Sequence, residues 1–164
     1  MKKFLSLLLI TFVCLTSVAM ARPVKIARLP IIIQQNKLDA ETSAALETKM
    51  ARAVFILNKE KVNYVPPQKS AQKLQNIWQK MYSQNNNPRF SEALKKLAKD
   101  LNAEIVICPV MRNFAPNSVT AELFIFDKKS NSVQKTRATS NDANSCFEEL
   151  ILNSKLRQII HNYN

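Results

Sequence analysis

The sequence predicts an α/β domain, in two or three layers, built on a mixed central sheet of about five strands with about four helices. Three observations carry that reading. Two runs rich in β-branched residues, Val24–Ile33 and Glu104–Val110, have the composition of strands covered on both faces. Stretches with apolar residues at helical spacing separate and follow them. Two further runs, Val119–Phe126 and Val133–Thr139, alternate about a polar turn and read as a hairpin.

In order, Val24 opens a buried strand that Pro30 ends near Leu29, with Ile31, Ile32 and Ile33 entering a buried turn. Asp39 is suited to cap a helix to about Leu57, with Glu41 in its first turn and Leu46, Met50, Val54 and Leu57 inward. Lys61–Val65 reads as a short strand stopped by Pro66-Pro67. Ser70 caps a helix to about Ser83 with Leu74, Ile77, Trp78 and Met81 on one face, and Asn85–Pro88 breaks the chain. Ser91 and Glu92 open a further helix whose core face is Leu94, Leu97, Ala98 and Leu101, with Lys95, Lys96 and Lys99 pointing away. The chain contains no glycine, and Asn102 is the residue available for a left-handed helix end. In the hairpin, Leu123 and Ile125 oppose Phe124 and Phe126 across the strand. Val133–Thr139 is polar enough for an exposed edge, where Lys135 and Arg137 discourage aggregation. One helix from Ala143 to His161 closes the chain.

The amino-terminal stretch has the parts of an export signal. Lys2 and Lys3 precede a charge-free apolar run, Phe4–Met20, and Ala19-Met20-Ala21 offers small residues for cleavage before Arg22. Residues 1–21 are therefore expected to be a cleavable signal peptide and 22–164 a single domain in the periplasm or outside the cell. The alternative is an uncleaved membrane anchor, which the interspersed Ser6, Thr11, Thr16 and Ser17 and the Ala-Met-Ala end disfavour. Cys14 inside the run lacks the small residues that precede a lipid-modified cysteine, and it leaves with the signal. An even pair, Cys108 and Cys146, then predicts one disulfide in an oxidising compartment; two buried free thiols are the alternative.

The net charge of the whole chain is +12, two of which come from Lys2 and Lys3. Such a surface suits contact with an anionic membrane or wall, or serves solubility alone. The charge is spread, and no basic block is interleaved with aromatics, so no nucleic-acid partner is expected. A chain without glycine has no P-loop, no dinucleotide fingerprint and no nucleophile elbow, each of which needs backbone that a Cβ obstructs. His161 is the only histidine and lies near a helix end, so neither a histidine-based triad nor a zinc site is served. No cofactor, metal or catalytic residue is assigned. Glu104, Glu122, Asp127, Glu148 and Glu149 are the acids left for a carboxylate mechanism, and all five read better as solvated charges. Trp78, Met50 and Met81 read as core.

The steps Ile26-Ala27-Arg28-Leu29-Pro30, Leu97–Ile107 and Leu123-Phe124-Ile125-Phe126-Asp127 occur in an order that resembles bacterial envelope domains of the TolB amino-terminal and curli-secretion-lipoprotein (CsgG-like) type. The resemblance follows most of the chain after residue 21. It departs at Asn102 and Asn131, where those domains usually carry glycine. It implies an envelope setting and a role in assemblies, with no catalytic residues to transfer.

The expected function is that of a non-enzymatic exported envelope protein that binds another protein or assembly. A small exported hydrolase using carboxylates and a polyanion-binding module are the alternatives. The expected contact surface is the edge strand, with Val133, Lys135, Thr136 and Arg137 as partner-binding residues; guarding the edge is the bland role for the same residues.

Overall fold

A computed structural model describes residues 22–33, 38–59, 62–68 and 90–163. Their elements are β1 (Val24–Arg28), β2 (Ile32–Ile33), α1 (Ala40–Phe55), a 3₁₀ turn (Ile56–Lys59), β3 (Val62–Val65), α2 (Phe90–Asp100), β4 (Ile105–Ala115), β5 (Ser118–Asp127), β6 (Ser132–Ser140), α3 (Ala143–Asn153) and α4 (Leu156–His161). The expected signal peptide and the expected helix from Ser70, with Trp78 and Met81, lie outside the described residues.

One mixed sheet runs β3-β1-β4-β5-β6, with β2 pairing β4 beyond the end of β1. The β1–β3, β1–β4 and β2–β4 pairs are parallel, whereas β4–β5 and β5–β6 are antiparallel. Alternation along the strands divides the core in two. Ile26, Ile105, Ile107, Leu123 and Ile125 pack with Leu46, Met50 and Val54 of α1, Phe147, Leu150 and Ile151 of α3, and Ile159 and Ile160 of α4. Ala27, Val106, Cys108 and Phe126 pack on the other face with Leu94, Leu97 and Ala98 of α2. The result is a three-layer α/β domain, the form expected when consecutive strand residues are apolar on both faces.

Local chemistry explains most boundaries. Asp39 caps α1, accepting from the Thr42 N–H at 2.7 Å. At the end of α2, the Ala103 N–H donates to the Ala98 carbonyl at 2.8 Å while Asn102 adopts φ 48°. Asn117 (φ 58°) and Asn131 (φ 51°) take the same left-handed region in the two hairpin turns. Asparagine thus fills every positive-φ position among the described residues, the substitute its short hydrogen-bonding side chain permits. The Ala115–Ser118 turn, in which Pro116 precedes Asn117, goes beyond the sequence reading, as does the continuation of β4 to Ala115 past a bulge between Met111 and Asn113.

Pro109 stands inside the central strand β4. The Leu29 N–H donates to the Ile107 carbonyl at 2.9 Å, so the odd residues of this part of β4 aim their backbone groups at β1 and β2. The donor that Pro109 lacks therefore falls at the gap between Arg28 and Ile32, where the neighbouring strand is interrupted by Pro30.

The carboxyl-terminal helix requires correction: it is two helices. Ser154 is extended at ψ 151°; its hydroxyl donates to the Ile151 carbonyl at 2.8 Å and accepts from the Leu156 N–H at 3.3 Å. That local alternative to the helix ladder breaks the run and re-aims Leu156, Ile159 and Ile160 into the core. Ile32 and Ile33 are likewise a paired strand rather than a buried turn.

Candidate functional site

The strand β6 is an edge, and among the described residues it pairs only with β5. The direction of its backbone groups follows from the neighbouring ladders. The Lys128 N–H donates to the Glu104 carbonyl at 2.9 Å, so even residues in the regular part of β4 face β5. Their partners Glu122, Phe124 and Phe126 then face β4, and Ala121, Leu123 and Ile125 face β6. Gln134, Thr136 and Ala138 point back into that ladder. Val133, Lys135, Arg137 and Thr139 turn their N–H and C=O groups outward. Of the four expected contact residues, Val133, Lys135 and Arg137 thus contribute free edge groups, whereas the backbone of Thr136 belongs to the β5–β6 pairing.

The side chains of the outward residues lie on the sheet face that carries α2. There Glu122, which is 4% exposed, is held by two cations. Its Oε1 accepts from Lys135 Nζ at 2.9 Å and its Oε2 from Arg112 Nε at 2.7 Å. Burial works against its charge, but these hydrogen bonds and the two positive charges outweigh it and hold its pKa below the usual glutamate value. Lys135 Nζ also lies 5.8 Å from the centre of the Phe124 ring. Arg137 is directly opposite Glu122 in the register, yet the ion pairs of that carboxylate are with Lys135 and Arg112. Arg137 is exposed and has no carboxylate partner among the described residues. Thr120 and Thr139 close the row with a hydroxyl–hydroxyl contact of 3.0 Å.

Of the remaining acids, Glu104 and Asp127 meet at one end of the β4–β5 ladder, where Tyr163 Oη reaches both the Glu104 carbonyl and the Asp127 carboxylate, and Glu148 and Glu149 lie on α3. Glu104 is half-buried and accepts from the Lys25 N–H at 2.7 Å. Asp127 is buried at the start of the β5–β6 turn, accepting from Tyr163 Oη and Ser130 Oγ, each at 2.6 Å, and from the Lys129 N–H at 3.0 Å. Burial opposes its ionisation, and these donors together lower its pKa. Glu148 and Glu149 are exposed on α3, and His161 is exposed at the end of α4. The expectation of five solvated acids therefore holds for Glu148 and Glu149 and is corrected for Glu122 and Asp127, which are buried structural anions. Met50 is buried in the core as expected.

The disulfide also requires correction. Cys108 and Cys146 are both buried free thiols. Cys108 lies in the cluster with α2 and Cys146 in the cluster with α1, α3 and α4, on opposite sides of the sheet. Parity and compartment carry no information about that separation. Burial pushes both thiols up, Cys146 to about 11.

A charge cluster not anticipated from the sequence lies at the carboxyl end of β1. Arg28, 2% exposed, donates to Glu47 Oε2 at 2.7 Å and to Tyr64 Oη at 2.6 Å, while Glu47 Oε1 accepts from the Ile31 N–H at 2.6 Å. The signal for it was Arg28 itself, a charged residue between Ile26 and Leu29 in an otherwise apolar strand end. The cluster secures the β1–β2 interruption to α1.

The fold is that of a mixed three-layer α/β domain. No protein-family model matches the sequence, and none of the curated proteins matches it. Among solved structures, the chain is similar to the hypothetical protein CT253 from Chlamydia trachomatis, with 13% identity and a TM-score of 0.50, covering 85% of this chain and 99% of that one. It is also similar to PelC from Paraburkholderia phytofirmans (15% identity, TM-score 0.46, covering 81% and 90%) and to lipoprotein GNA1162 from Neisseria meningitidis (15%, 0.42, covering 84% and 96%). At 13% identity the likeness to CT253 is one of fold alone.

Proposed function

We propose that this chain is exported, loses residues 1–21 at the Ala21/Arg22 bond, and acts without catalysis in the cell envelope by adding a partner's extended segment to β6. The observation that carries the reading is the row of outward backbone groups at Val133, Lys135, Arg137 and Thr139 on an edge strand. The lysine and leader sequence of residues 1–21 support export, and kinship with TolB-type or curli-secretion domains is part of the same proposal, resting on the short motifs around Leu29, Leu101 and Asp127. The buried acids support a non-catalytic reading, since Glu122 and Asp127 are each engaged in holding strands and turns.

The test is co-purification of the mature protein from envelope extract at low and moderate salt, with two proline variants. Arg137→Pro removes an outward donor and is expected to abolish partner capture with little change in melting temperature. Thr136→Pro removes an inward donor and is expected to lower the melting temperature itself. Full capture by a folded Arg137→Pro protein would refute the edge reading. Amino-terminal sequencing that returned Met1 would refute cleavage.

A further inference from the structure

Resting on that edge-strand reading, we infer that the segment added to β6 is acidic, with a carboxylate on the residue that pairs with Arg137. Among the described residues, three cations, Arg112, Lys135 and Arg137, lie around one carboxylate, Glu122. Glu122 pairs with Arg112 and Lys135 and not with Arg137, although Arg137 is its direct cross-strand neighbour. The guanidinium is therefore a positive charge at the rim of the sheet, one strand spacing from where a partner would lie. Because the backbone of Arg137 faces outward, the partner residue directly opposite it places its side chain on the same face, within reach of a bidentate contact.

The same charges argue against a second copy of this chain as the occupant. In the fully overlapped antiparallel pairing of two β6 strands, Lys135 of each copy stands opposite Arg137 of the other, twice across the two-fold axis. Like charges directly opposite one another destabilise a strand pair. An uncharged strand gains the backbone hydrogen bonds but leaves Arg137 unmatched, so charge decides among partners that are equally able to pair.

The experiment uses the whole mature protein and two capped strand-forming peptides of alternating valine and threonine, one with glutamate at the central position and one with lysine. Binding is read by fluorescence anisotropy and by amide exchange at Val133, Lys135, Arg137 and Thr139. The glutamate peptide is expected to bind about fivefold more tightly at low salt, with the preference shrinking as salt rises. Arg137→Glu, an exposed substitution, is expected to invert the preference, whereas Arg137→Lys retains most of it. If both peptides protect the four amides equally, the edge accepts strands but the acidic preference is wrong. If neither peptide protects them, the edge-strand reading falls, and this inference with it.

Discussion

Arg28 and Asp127 show how single buried charges hold this fold. Arg28 gains from Glu47 and Tyr64 what burial takes from its hydration. Glu47→Gln leaves the guanidinium beside a neutral amide and is expected to destabilise by about 2 kcal/mol, below the usual loss for a broken buried pair because water still reaches Glu47. Denaturant unfolding of the two proteins checks it. Asp127 has a pKa held below its unfolded value, so its contribution is present above the unfolded carboxylate range and is lost as pH falls through the folded pKa. Asp127→Asn is expected to cost about 2 kcal/mol near neutral pH and to flatten the acid limb of the stability profile. Unfolding free energies measured from neutral pH down through the carboxylate range test both parts. Tyr163 titrates the other way. Its hydroxyl is pushed up by burial and by the Asp127 hydrogen bond, so its share is present below the ordinary tyrosine pKa and lost as pH rises through the folded value.

At the scale of elements, the absence of glycine concentrates conformational strain on asparagines. Asn102 ends α2 at φ 48° and aims the chain into β4. Asn102→Ala puts a Cβ with no compensating hydrogen bond into the left-handed region and is expected to cost about 1 kcal/mol, while Asn102→Gly is expected to be neutral or stabilising. Thermal melts of the two variants distinguish this from a loss of side-chain contacts, which both substitutions would share. The α2 terminus was legible because a helical stripe ends at Leu101 just before an apolar strand. The split between α3 and α4 was not. Serine is common on exposed helix faces, and only the buried position of Ser154, bonded to Ile151 and Leu156, turns it into a break.

For the whole molecule, the sheet is a partition between two cores, and that decides the fate of the cysteines. Buried on opposite faces, Cys108 and Cys146 are expected to resist a thiol reagent in the native protein at mildly alkaline pH. Both should react on unfolding without reductant. Intact mass after alkylation provides the count, and a single unreactive, reducible pair would overturn the arrangement. The candidate site is a property of the same scale. Lys135 and Arg137 could be read as edge guards from composition, but which of them is free depends on Glu122 of β5 and Arg112 at the bulge of β4, residues brought alongside by the ladder.

Sequence alone determined the order of β1, α1, β3, α2 and the strands β4 to β6, the buried stripes of α1 and α2, the Asp39 cap, the left-handed Asn102 and the polar edge hairpin. These depend on periodicity and on residues a few positions apart, where the chain itself enforces proximity. Only the tertiary structure decided the strand order, the direction of each backbone group on β6, the burial of Glu122 and Asp127, the Arg28–Glu47–Tyr64 cluster and the separation of the thiols. Each of these rests on contacts between distant segments, and whether a charge there is solvated or paired is set by what packs over it, not by its neighbours in the chain.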